Sequence, residues 1–381
     1  GTLAKASGFG LTINWEVQNQ DSLRISSTDG GLRIDGTPIG SGGTEGVASG
    51  VYEAKESKLE FRVDSSMTFD SGSRIRADSA ATFDLESTVS PRTEVAIAGT
   101  LDVKGTLSSN NRGGDTTRVV VQSGATLQDL AGTALNLNRN GGVKVNTTDP
   151  IEIGALTLEV TGGSRFEPSS DVTVRGNATV RGTFISGSDL TVQGNLDWRG
   201  GRIAGTDAST DTLRVEDGGD IPADVTLDAR RLLVPSGDTL RWSDTGSFGS
   251  GLRGENGAII EVQSGARFEL PGSQPLSTGS GAAPRVVNRG TLAKASGFGL
   301  TINWEVQNQD SLRISSTDGG LRIDGTPIGS GGTEGVASGV YEAKESKLEF
   351  RVDSSMTFDS GSRIRADSAA TFDLESTVSP R

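Results

Sequence analysis

Residues Gly1 to Arg92, opening GTLAKASGFGLTINWEVQNQDSLRISS, recur letter for letter as Gly290 to Arg381, a shift of 289 positions. The 381-residue chain is therefore one full period and the first third of the next. Exposed positions of a stacked-repeat protein vary freely, so identity over 92 positions exceeds what folding demands. Recent duplication or homogenisation of the coding DNA is the simplest source, a deliberate duplication the alternative. A chain that grows by adding units must bury its apolar surface between neighbouring coils rather than in one closed globule.

A smaller repeat lies inside the large one. The pattern V-x-S/D-G/S-small-x-F/L/I occurs at Val63–Phe69 (VDSSMTF), Val121–Leu127 (VQSGATL), Val160–Phe166 (VTGGSRF), Val215–Ile221 (VEDGGDI) and Val262–Phe268 (VQSGARF), with Ala77–Phe83 (ADSAATF) as a looser variant. Each places two inward apolar residues around a tight polar corner. Between the corners, TLDVKGTL at 100–107, DVTVRGNATVRGTF at 171–184 and DLTVQGNLDW at 189–198 alternate apolar and polar with period two. Short strands and turns at this spacing fit a β-sandwich or a parallel β-helix. All but one of these corners, Asp217-Gly218 being the exception, lack the paired Asn-Gly or Asp-Gly dipeptides of a hairpin meander, and the motif repeats without mirrored spacing, which selects the helix. The fold class expected is all-β, a right-handed parallel β-helix (β-solenoid) continuous through the repeat boundary.

Three stretches depart from the pattern. GTPIGSGGTEGVASG at 36–50 is too rich in Gly and Ser for a strand, so a protruding loop region is expected over 36–60. YEAKESKL at 52–59 has the composition of a short helix or turn, and PGSQPLSTGSGAAP at 271–284 reads as a flexible join. VVNRGTL at 286–292, by contrast, crosses the boundary as one strand-and-corner pattern. The organisation expected is 1–289 as one full unit and 290–381 as the start of the next.

Composition narrows the function classes. Only 33% of the residues are apolar and 54 are Gly, which suits many short strands broken by turns. Cysteine and histidine are both absent, so disulfides are excluded and zinc loses its usual ligands. The formal net charge of −13 disfavours nucleic acid and anionic lipid, and no apolar run is long enough for membrane insertion. No signal-peptide pattern opens the sequence, as expected where it begins inside a repeat.

At this point the residues resemble a family. VVNRGTLAKASGFGLTINWEVQNQDSLRI at 286–314, LTVQGNLDWRGGRIAG at 190–205 and TLDARRLLVPSGDTLRWSDTGSFGSGLRGENGAIIEVQSGARFEL at 226–270 are similar to the coils of large haemagglutinin-like and adhesin-like bacterial surface proteins. The likeness covers about half the unit in separate patches. It implies a right-handed parallel β-helix in a long exported protein, and neither catalytic residues nor a ligand. Residues 36–60 and 128–155 do not follow it.

Parallel β-helices also build polysaccharide-degrading enzymes; the glycosidases resemble one another in Asp clusters with a histidine, which is absent here, and the lyases use Asp on Ca²⁺ with an Arg or Lys base. Asp197 and Arg199 have that chemistry on paper, but they flank Trp198 in a strand, so the ring points inward and they form a solvated face. The 49 acidic residues are spread almost one per turn, as solubility and protection of strand edges require. The Ca²⁺ nonapeptide G-G-x-G-x-D-x-U-x is missing, which leaves Glu216, Asp217 and Asp220 around Gly218-Gly219 as the nearest oxygen cluster, with a plain turn the simpler account. Trp15, Trp198 and Trp242 lie in alternating strands and are expected in the core rather than as sugar platforms. No catalytic, cofactor-binding or metal residue is assigned, and Ca²⁺ is the one ion such acidic corners could hold.

The reading that follows is a structural or adhesive spacer, a stalk or filament unit of an extracellular surface protein. At roughly 20 residues per coil and about 4.8 Å of rise, one unit would hold on the order of 14 coils over about 70 Å. Its partners would be adjacent repeat units of the same chain, with neighbouring rods or host glycans beyond them. The alternatives are a carbohydrate- or protein-binding module using loops at 36–60, and a lyase-like enzyme.

Overall fold

The computed structural model describes residues 2–6, 8–19, 21–25, 30–35, 38–39, 46–62, 66–87, 94–111, 117–123, 125–128, 130–139, 141–158, 163–244, 251–315, 319–329, 332–352 and 356–376. The chain is an all-β solenoid of stacked parallel strands. It divides into two compact units, Gly1–Ser188 and Asp189–Arg381, so the sequence boundary at 289/290 falls inside the second.

In the first unit the strands stack in three long parallel sheets, joined by a pair of Val17–Gln18 with Pro38–Ile39 and, from Ile151–Ile153 and Val172–Val174 onward, by a further sheet. One sheet stacks Thr2–Lys5, Ser22–Ile25, Val51–Ala54, Arg74–Ala77, Thr100–Val103 and Thr126–Gln128. The second runs from Leu11–Ile13 through Lys58–Arg62, Thr82–Ser87 and Thr106–Asn111 to Ala178–Val180. The third runs from Val47–Ala48 through Met67–Phe69 to Thr183–Ile185. The one helical turn among the described residues, a 3₁₀ turn at Leu130–Gly132, follows the last strand of the first sheet. The second unit repeats the three-sided plan, from Leu190–Val192, Leu196–Trp198 and Arg202–Ala204 onward.

All strand ladders are parallel, so like positions stack on like positions. Leu23, Tyr52, Ile75 and Leu101 form one inward column, and Leu32, Leu59, Phe83 and Leu107 another. All eight are buried. Where three sides meet, one ring from each fills the interior: Tyr52, Phe61 and Phe69 lie 5.3–5.4 Å apart in edge-to-face contact. The second copy rebuilds the same triad from Tyr341, Phe350 and Phe358. Of the corners in the small motif, Val63 and Val160 lie outside the described residues, Leu127 is half-buried rather than inward, and the corner at Val262–Phe268 behaves as the motif predicts. In Val262–Phe268 both end residues are fully buried, and the turn is made at Gly265, whose φ of +79° disfavours any residue with a Cβ.

Several expectations need correction. Coils are longer and less uniform than 20 residues: Leu11 pairs with Leu32, Leu32 with Leu59 and Leu107 with Leu135, spacings of 21, 27 and 28. The extra residues go into corners, which a stack tolerates because they lie outside the ladder. Of the stretch 36–60, residues 36–37 and 40–45 lie outside the described set, while Val47–Ala48, Val51–Ala54 and Lys58–Arg62 are strands of the stack. In the second copy an isolated antiparallel bridge joins Ile328 and Glu334. No helix forms at 52–59. The inward burial of Tyr52 and Leu59 overrides the helical composition, and the chain turns between them at Glu56 with φ +56°. Nor is 271–284 a flexible join: Leu276–Thr278 is a strand paired with Leu252–Glu255, and Leu276 is fully buried.

Because the ring triad is shared by three sides of one coil, Phe61→Ala should cost about 3–5 kcal/mol. Phe9→Ala, at a side chain 92% exposed, should stay within about 0.5 kcal/mol. Urea unfolding of the two variants checks the contrast, and equal losses would mean that the aromatic interior is misplaced.

Candidate functional site

Asp197 and Arg199 sit on the outer face of Leu196–Trp198, where the guanidinium Nε donates to both carboxylate oxygens at 2.8 and 2.7 Å. Trp198 is fully buried and its indole N–H donates to the Gly200 carbonyl at 2.9 Å. Trp242 is likewise buried and bonds the Gln274 carbonyl at 3.1 Å. Trp15 is the exception, at 81% exposure. Its copy Trp304 is fully buried, so the position is inward only where a coil lies over it.

Glu216, Asp217 and Asp220 do not converge on a common point. Glu216 pairs with Arg214 at 2.8 Å, and Asp220 accepts a hydrogen bond from Ser243. Their charge is felt nearby: the Asp238 carboxyl is pushed up by burial and by Asp217 and Glu216. Among the described residues the one group of carboxylates close enough to share an ion is Glu60, Asp84 and Glu86, within 4.8 Å of one another.

That group lies on the outer face of adjacent strands and is already engaged by cations. Lys58 Nζ stands 2.7 Å from Glu60 and 2.5 Å from Asp84, while Arg33 reaches Glu60 at 2.5 Å and Glu86 at 3.2 Å. Burial alone would raise the Glu60 carboxyl, but hydrogen bonds from Lys58 and Arg33 outweigh it and hold it down at about 2. The second copy keeps the lysine, with Lys347 on Glu349 at 2.7 Å and on Asp373 at 2.9 Å, but Glu375 is met at 3.0 Å by Arg351, the copy of Arg62, while Arg322, the copy of Arg33, pairs with Asp324. Similar ladders run along other faces, as from Arg24 to Glu53 to Arg76 and from Arg202 to Asp228 and Glu255. These outward residues are the ones that sequence reasoning missed. Alternation places them on the solvent side, yet Glu60, Asp84 and Glu86 are buried by their own neighbours in the stack.

Two buried cations were also not foreseen. The Arg230 side chain is fully buried and donates to the Thr212 carbonyl at 3.0 Å, with burial pushing its guanidinium down to about 10. Lys294 is fully buried beside the unit boundary and donates to the Gly272 carbonyl at 3.0 Å and the Ser296 carbonyl at 2.5 Å, with burial lowering its amine to about 8. Both tie corners by reaching backbone carbonyls of other coils, a role that only the three-dimensional stack reveals.

The boundary at 289/290 is crossed by strand pairing and by side-chain hydrogen bonds. Arg267–Glu269 pairs with Thr291–Lys294, Leu276 with Ile302, and Arg285–Asn288 with Glu305–Asn308. Asn288 donates to Asn308 at 2.7 Å inside the core, and Arg285 pairs with Glu305 at 3.0 Å. The Trp304 indole donates to the Ser277 carbonyl at 2.9 Å. An apolar void of about 30 Å³ between Leu107, Leu127 and Phe166 in the first unit is too small for anything beyond a water-sized guest.

No protein-family model, no curated protein and no solved structure matches this chain.

The Glu60 carboxyl is held below its ordinary value of 4.5, so the unfolded chain binds more protons between about 2 and 4.5. Its contribution to stability is complete above pH 4.5 and fades as the pH falls toward 2. Unfolding midpoints measured across that range should decline less steeply in Glu60→Gln than in the parent, and coincident slopes would show that the ladder carries no linkage.

Proposed function

We propose that this chain is one full unit and the start of the next in a long tandem array that serves as a structural or adhesive spacer on the outside of a bacterial cell. The observation that carries the reading is the unit boundary. The ladder runs across 289/290 without a break, and the copy beyond it takes the registers of the first: Thr2 pairs with Ser22 as Thr291 does with Ser311, and Leu11 with Leu32 as Leu300 does with Leu321. A unit that joins its successor through the same packing that holds its own coils together can be repeated without a linker.

The likeness of 190–205, 226–270 and 286–314 to haemagglutinin-like and adhesin-like repeats supports an exported surface protein, as does the formal net charge of −13. A mechanical rather than catalytic role is supported by the outer charged residues, which pair with one another in ladders instead of converging on an open cleft. The partners under this reading are adjacent units of the same array. The reading does not call on Ca²⁺: among the described residues the one close carboxylate group is already engaged by Lys58 and Arg33.

With coils nearer 24 residues than 20, a unit holds about 12 coils and lengthens the array by roughly 60 Å. Small-angle X-ray scattering on chains of one, two and three units, with and without Ca²⁺, should show the maximum dimension rising linearly by that increment and indifferent to the ion. Growth that falls below linear, or that requires Ca²⁺, would overturn the spacer reading.

A further inference from the structure

Among the described residues, one large apolar side chain stands in solvent although coils are stacked on both sides of it. Phe298 is 73% exposed, and its copy Phe9 is exposed as well. The strands that flank Phe298 are paired in both directions, Thr291–Lys294 with Arg267–Glu269 and Ser311–Ile314, and Leu300–Ile302 with Leu276 and Leu321–Ile323. The other exposed large apolar side chains described, Leu3, Leu11, Trp15, Ile364 and Leu374, all belong to the first or last coils. The exposure of Phe298 is therefore a property of its own corner.

The turn that carries the ring is held by the coil before it, the coil after it and an amine beneath it. Gly297 takes φ +78° and lies so close to the preceding coil that a Cβ would stand 2.1 Å from the Pro271 carbonyl oxygen. In the following coil a Cβ on Gly319 would stand 2.2 Å from the Gly299 nitrogen and 2.5 Å from the Phe298 carbonyl carbon, so the corners touch through backbone and that residue puts no side chain over the ring. The first copy repeats the contact, with a Cβ on Gly30 falling 2.4 Å from the Gly10 nitrogen. The buried amine of Lys294 donates to the Gly272 and Ser296 carbonyls under the turn, and Lys5 donates to the Gly8 carbonyl at 2.9 Å in the first copy. The described residues of three successive corners, 270–275, 295–299, and 315 with 319–320, carry no charge.

We propose that Phe298 and its copies are lateral contacts, each meeting the same corner of a second copy of this chain, so that neighbouring arrays associate side by side. The proposal rests on the tandem-array reading and adds to it a surface through which separate arrays meet. Charge selects the place: a chain of net charge −13 repels its own copy least where it carries no charge, and the ring stands in such a strip. Area selects a repeating partner. One ring covers far less than the roughly 800 Å² per partner of a stable protein interface, so a single contact is weak and binding has to come from many of them. A second array presents the same ring at the same interval of 289 residues, so contacts add along the two chains without a foreign partner of matching period. Because the turn is already held in place, little conformational freedom is lost when two rings meet.

The test compares the sedimentation of the 381-residue chain, which holds two such rings, with that of chains lengthened by one and by two 289-residue units. Parent chains should self-associate more tightly than chains carrying Phe9→Ser, Phe298→Ser and the same change in every added unit, and the gap should widen by about tenfold or more per unit. Far-UV circular dichroism should be the same in both series, and Phe→Tyr at these positions should keep the association. The chain has no cysteine, so Ser296→Cys beside the ring and Ser236→Cys at another exposed corner of the same compact unit report where copies meet. A short bis-maleimide should join copies through Ser296→Cys and not through Ser236→Cys, which separates contact at the ring from end-to-end stacking. Equal association of the parent and Phe→Ser series, or equal cross-linking at the two cysteines, would overturn the lateral contact. Ring-dependent association of chains whose length fails to grow linearly would instead remove the spacer reading and leave the lateral contact standing.

Discussion

A coil of this chain cannot bury its own apolar face, and everything else in the structure follows from that. Its strands are two to six residues long, too short to close a core by themselves, and each has its edges satisfied by the coil before and the coil after. The two copies of the repeated segment make the dependence visible without any substitution. Ile75 and Leu85 are fully buried where further coils follow, whereas Ile364 and Leu374, the same residues without successors, are 45 and 56% exposed. Burial here belongs to the neighbour as much as to the residue.

Parallel stacking also dictates what happens to charge. Because like positions fall on like positions, an outward Glu on one coil lies about 4.8 Å from the outward residue of the next, and like charges in one column would repel. One column resolves this by alternation, Arg24, Glu53, Arg76 and Asp102 following one another, and where Glu60 and Asp84 do fall side by side Lys58 reaches across from the neighbouring position to both. Pairs on an exposed surface contribute little individually, but these lie packed between coils where water is partly excluded, so removing one partner costs more than forming the pair gains. A strongly acidic chain can thus stack its outer faces closely, provided that the excess negative charge sits at corners.

The periodic part of this architecture was legible in the residues. Period-two alternation and the Gly-containing corner of Val262–Phe268 specify inward pairs around a turn, and Val262 and Phe268 are both fully buried. Coil length was not legible, because a corner can absorb extra residues without disturbing the ladder on either side; the 28 residues between Leu107 and Leu135 accommodate the 3₁₀ turn at Leu130–Gly132. Composition misled at 52–59 and 271–284, where tertiary burial of Tyr52 and Leu276 overrides weak local preference. The buried ion pairs were hidden for a different reason. Which outward residues become neighbours depends on the register between coils, and with unequal coils that register cannot be counted off along the sequence.

The same logic explains why the boundary of the repeat carries its most specific contacts. Within a coil stack, most inward positions accept any apolar residue of suitable size, which makes register permissive. Gly254 and Trp304 are not interchangeable in this way, because the absence of a side chain on one is the volume filled by the other. Neither is satisfied within a single period: the indole of Trp15 faces solvent, and the glycine keeps a space for a ring that arrives only with the next copy. A pair split between the end of one period and the beginning of the following one fixes both the order and the register of coils at the join, which backbone ladders alone would leave free to slip.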